Sequence, residues 1–87
     1  MKTIIASLKE GENYEIAENA ARAPYFVVLN GEEYEKTIKN PFTHGGGAGF
    51  AVAELLKDEG CEKFIAGKIG GNMKGQLDEF KITYEEK

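Results

Sequence analysis

The chain has one cysteine, Cys61, and one histidine, His44, among 87 residues. A single cysteine excludes an internal disulfide and makes a reducing compartment the default. A single histidine leaves no second imidazole to complete a metal pair. Cations are short as well: 11 Lys and Arg stand against 15 Asp and Glu, the net charge is −4, and no basic cluster occurs. That balance excludes recognition of DNA or RNA by phosphate neutralisation. No run approaches the ~18 apolar residues of a membrane span. MKTIIASLKEGE is too short, and turns acidic too soon, for a secretory signal. There is no internal repeat, low-complexity segment or linker. A chain this size buries only roughly 60–65 % of its unfolded surface, so one sheet faced by a pair of helices is about the limit. These absences describe a single cytoplasmic domain, residues 1–87, that binds neither nucleic acid nor membrane.

Glycine is what the chain has in quantity, and its placing organises the rest. Gly45, Gly46, Gly47 and Gly49 follow His44 directly in NPFTHGGGAGF, Asn40–Phe50. The next run, AVAELLKDEG, reads as a helix, with Val52, Leu55 and Leu56 on one stripe and Gly60 as terminator. A glycine-rich turn opening a helix leaves unpaired N–H groups under the positive end of the helix dipole, which suits an anion. His44 adds a titratable donor or metal ligand at the lip. The alternative is a tight loop whose glycines serve only its bend.

Around that loop the chain reads as a small α/β domain. Lys2–Leu8 is a buried strand, and GENYEIAENAAR is a loop with room for a helical turn over Tyr14–Ala20. Tyr25–Leu29 is aromatic and β-branched, Asn30-Gly31 is a hairpin turn, and Glu33–Lys39 is the antiparallel partner. Lys63–Ala66 begins another strand. Asn72 is placed to cap a second helix carrying Met73, Leu77 and Phe80, and Ile82–Tyr84 closes the order β-β-β-α-β-α-β. Right-handed crossovers make the later strands parallel, with helices covering a five-stranded mixed sheet. Arg22, the His44 loop and the Gly70–Asn72 loop then converge on one sheet edge, where open α/β sheets bind ligands. The charged strand Glu33–Lys39 protects the other open flank, consistent with a monomer or weak dimer.

Each candidate has a plainer reading beside it. Gly70, Gly71 and Asn72 can donate to the same anion or form an ordinary turn. Arg22, set between alanines, can fork onto an oxyanion or sulfide edge or simply cover apolar surface. Cys61 follows Gly60 at the edge opposite the glycine loops and reads as structural. A two-metal nuclease would need a carboxylate on the first strand, and KTIIASL has none. No nucleophile and base can be assembled around His44, so an enzyme is not expected.

Three segments carry a resemblance: RAPYF at Arg22–Phe26, Asn40 with the His44–Gly49 loop, and IAGKIGGN at Ile65–Asn72. In this order and spacing they resemble the dinitrogenase iron–molybdenum cofactor biosynthesis family, the small domains like NifX and the C-terminal part of NifB. The resemblance implies a ribonuclease H-like three-layer fold and binding without turnover. Its cofactor would be a preassembled anionic metal–sulfur cluster, such as the nitrogen-fixation iron–molybdenum cofactor, or a molybdate-like oxyanion. Arg22, His44, Gly45, Gly46, Gly47, Gly49, Gly70, Gly71 and Asn72 would form the pocket, with His44 as metal ligand. Cluster-donor and cluster-acceptor proteins would be the partners. A cluster bringing its own sulfides needs few protein thiolates, and one cysteine cannot build a four-cysteine site. Where the family usually reads His-Phe-Gly, this chain has Asn19, Ala20 and Ala21. A fold retained as a protein-interaction module without a cluster is the alternative.

Overall fold

A computed structural model describes residues 1–87. In chain order the elements are β1 (Lys2–Ser7), β2 (Tyr25–Asn30), β3 (Glu33–Lys39), α1 (Ala48–Asp58), β4 (Lys63–Ala66), α2 (Gly71–Glu79) and β5 (Thr83–Glu86). They form one sheet in the order β3-β2-β1-β4-β5. β1 is antiparallel to β2 and parallel to β4, and β5 continues the parallel half. Val28 pairs with Lys36 and Leu29 with Tyr34, so Glu35 is an extra residue on β3. That bulge is why the hydrophobic alternation of β3 is weak.

Both crossovers run in the same direction across the sheet. Each is right-handed, so α1 and α2 lie on the same face. The expected three layers are therefore corrected to two. Val52, Ala53 and Leu56 of α1 share one cluster with Met73 and Leu77 of α2 and with Ile4, Ala6, Phe26, Val28 and Phe64 of the sheet. Phe26 and Phe64 meet at 6.2 Å between ring centroids and 59° between planes, a favourable tilted contact.

The second sheet face is covered by chain rather than by a helix. Ile5 and Val27 on that face are as buried as the main core. Ser7 is fully buried and fastens the covering segment: its Oγ donates to Lys9 O at 2.7 Å and accepts from the N–H groups of Lys9 and Glu15 at 3.1 Å. The Gly11 N–H donates to Thr37 Oγ1 on β3.

The loop expected after β1 is present, without the helical turn for which Tyr14–Ala20 had room. It makes isolated bridges from Ile16 to Ser7 and from Asn19 to Lys68, with a bend at Glu18 and a turn beginning at Ala20. Its backbone groups are used sideways: Ala17 N–H donates to Ala6 O, and Gly67 N–H donates to Ala17 O. Glycine is required at 67, because a Cβ there would stand 2.6 Å from Glu18 Cα. No helix is long and apolar enough to cross a membrane.

Candidate functional site

The glycine loops lie at the edge where β1, β3 and β4 end and β2 begins. Asn40, the first residue after β3 and one of the residues that carry the resemblance, is a buried polar residue with no role assigned to it by the sequence. Its Nδ2 donates to Ala21 O at 3.0 Å and to Ala23 O at 2.7 Å. Its Oδ1 accepts the Phe42 N–H at 2.8 Å. The last bond is an Asx turn, and Asn followed by Pro41 is the signal that could have revealed it. One side chain thus ties the approach to β2 to the base of the His44 loop.

Arg22 completes the tie. Its Nη1 donates to Thr43 O and its Nη2 to Gly45 O, both at 2.8 Å. The expected fork is present, but it closes on two loop carbonyls rather than lying free for a ligand. His44 sits between those carbonyls in sequence and is exposed. With the carbonyls held by Arg22, the loop's amides are left free. Gly45 and Gly47 take φ of 88° and 73°, values that L side chains rarely adopt. Gly46 has no such constraint, and a Cβ there would meet nothing within 4 Å.

The second loop joins β4 to α2. The Ile69 N–H donates to Glu86 Oε2 at 2.8 Å, and that bond, with the Lys74 ammonium, holds the Glu86 carboxyl below the usual carboxylate range. The helix starts earlier than expected: Gly70 is the N-cap, and Asn72 lies inside the first turn, exposed and without a capping bond. The reason is local, since Gly70 already has the extended backbone of a cap, at φ −64° and ψ 154°. Neither Gly70 nor Gly71 has a positive φ or a neighbour within 4 Å of a Cβ.

Gly49 brings the two helix starts together. Its Cβ position lies 3.5 Å from Met73 Cβ, so the first turns of α1 and α2 are in contact there. Both caps are glycine and neither supplies a side-chain bond. No amide from Gly45 to Phe50, or from Gly70 to Met73, donates to an acceptor in the chain. The arrangement is two adjacent N-termini presenting unused donors, with an arginine-braced histidine loop before one of them.

The largest concavity, about 670 Å³, adjoins the second loop: Ile69, Gly70, Lys74 and Glu86 line it together with Glu18, Asn19 and Lys68, and it reaches neither Arg22 nor His44. Nowhere do three His, Cys, Asp or Glu side chains gather around a point that could hold a metal ion. Cys61 is buried near the start of β4, its thiol donating to Lys63 O at 3.2 Å. Burial pushes that thiol up to about 12, which keeps it protonated and inert.

The fold recurs in solved structures. The apo form of the orange protein from Desulfovibrio gigas superposes with a TM-score of 0.89 at 21 % identity, over 98 % of this chain and 73 % of that one. A NifB-like protein from Thermotoga, determined by NMR, gives 0.81 at 23 % identity, over 99 % and 75 %. No curated protein matches the sequence. Residues 1–86 match the family model described as dinitrogenase iron-molybdenum cofactor. The chain belongs to the dinitrogenase iron-molybdenum cofactor family.

Proposed function

We propose that this domain is a non-catalytic carrier that seats a preassembled anionic metal–sulfur cluster, or a molybdate-like oxyanion, as cargo on its glycine edge. The carrying observation is the pair of glycine-capped helix starts in contact at Gly49 and Met73, with no internal acceptor for their amides. Two such termini offer several donors and two partial positive charges to one anion. Gly46, Gly70 and Gly71 support the reading, because the chain itself needs glycine at none of them. A side chain at these positions would stand between the amides and a bound group.

The donor set fits a cluster that arrives with its own sulfides and does not fit a bare metal ion. In this reading His44 is the one metal ligand and Arg22 is a positioning residue. Cluster-donor and cluster-acceptor proteins in the cytoplasm would be its partners. The sheet order β3-β2-β1-β4-β5 supports the ribonuclease H-like assignment of the fold. The lone exposed histidine favours a second reading, an interaction module that binds no cluster.

An anaerobic titration of ¹⁵N-labelled protein with iron–molybdenum cofactor, tetrathiomolybdate and molybdate separates the two. Carriage predicts amide shifts confined to residues 44–50 and 70–73, weakened in His44→Ala without loss of folding. Silence with all three anions would leave the interaction module standing.

A further inference from the structure

At the other end of the sheet, beside the Asn30-Gly31 hairpin turn, a cleft of about 500 Å³ opens to solvent. It is lined by Tyr14 from the segment after β1, by Tyr34 of β3, and by Leu29 and Gly31, with Glu12 and Glu32 alongside. Both tyrosines are open for aromatic residues, at 40 % and 38 % exposure. Tyr34 is held in place: its OH lies 2.8 Å from Thr37 Oγ1, the same oxygen that accepts the Gly11 N–H at 2.9 Å. Those two bonds fasten the segment carrying Tyr14 to the strand carrying Tyr34.

No lysine or arginine lines the cleft. All five ion pairs in the chain use Glu35, Glu59, Glu85 or Glu86, which leaves Glu12 and Glu32 without an ion-pair partner. The chain's cation–π contact, Lys57 over Phe80 at 4.8 Å, lies elsewhere. Two partly exposed tyrosines, a leucine and two carboxylates without an ion-pair partner have a common complement, an organic cation on a methylene stem. The ring quadrupoles and carboxylates attract the charge, and Leu29 packs the stem.

We propose that this cleft docks a lysine or arginine side chain presented by a partner protein. It lies at the Asn30 end of β2, while the glycine loops lie at the Tyr25 end, roughly 17 Å away at the rise of a strand. Both can be occupied at once, so the docking site stands whether or not the glycine edge carries a cluster.

Titration of the ¹⁵N-labelled full chain with blocked Gly-Lys-Gly and Gly-Arg-Gly peptides tests this, with Gly-norleucine-Gly as the uncharged control. The expected result is shifts at Tyr14, Leu29, Gly31 and Tyr34 with both cationic peptides and none with norleucine. Tyr34→Leu should weaken binding about tenfold. The double change Glu12→Gln and Glu32→Gln should weaken it several-fold and abolish its salt dependence. These two carboxylates are exposed and unpaired, so that variant folds even if Tyr34→Leu does not. Equal shifts with norleucine, no shifts at the cleft, or an unaltered Kd in the glutamine variant would each overturn the proposal. So would cleft shifts that grow with protein concentration in the absence of peptide, which would identify a second copy as the occupant.

Discussion

Single residues around the glycine edge divide into those the fold needs and those it does not. Asn40 belongs to the first group. Replacing it with alanine strands the Phe42 N–H and two carbonyls in a buried place, and should cost about 2 kcal/mol in urea denaturation. Gly47→Ala should cost about 1 kcal/mol because of its positive φ. Gly46→Ala should leave stability within about 0.5 kcal/mol while weakening anion binding, since its Cβ meets no protein atom. Arg22→Lys keeps the charge but loses the fork onto Thr43 and Gly45, so amide exchange across residues 43–47 should quicken with little change in the unfolding midpoint. Arg22 and His44 could be picked out in the sequence because their types are rare there. What Arg22 grasps could not, because its acceptors are backbone carbonyls, which every residue has.

Elements were legible where their signals are local. The β2–β3 hairpin is written in YFVVL and Asn30-Gly31, and α1 in its apolar stripe. The segment from Tyr14 to Ala20 was not, because its partners lie on β1 and beside Gly67, far away in sequence. α2 is the weakest element by propensity. Gly75 lies in its interior with open space around a Cβ, so Gly75→Ala should stabilise the domain by about 0.5–1 kcal/mol. Lys81, just beyond the helix, has φ 60°, and Lys81→Gly should also stabilise.

The β4–β5 pair carries the acid response. Lys87 first, then Lys63, lower the Glu85 carboxyl from 4.5 to about 2. A lowered carboxylate contributes stability that is complete above its ordinary value and fades as pH falls from about 4.5 through about 2. Glu85→Gln should therefore flatten the urea midpoint across that window and leave its pH dependence above 5 unchanged.

At the scale of the molecule, one hydrophobic cluster joins both helices to the sheet strands, so backbone and aromatic signals should be lost together on unfolding. A thermal melt followed by far-ultraviolet and near-ultraviolet circular dichroism checks that coincidence. The strand order was within reach of sequence reasoning, because a hairpin followed by two crossovers leaves few topologies. The three layers came with the resemblance, whereas the two seen here follow from both crossovers running the same way across the sheet. That shared direction also makes α1 and α2 parallel, so their dipoles add. The positive ends of both lie side by side at the glycine edge, so an anion attracted by one is attracted by the other, and added salt should slow its capture there.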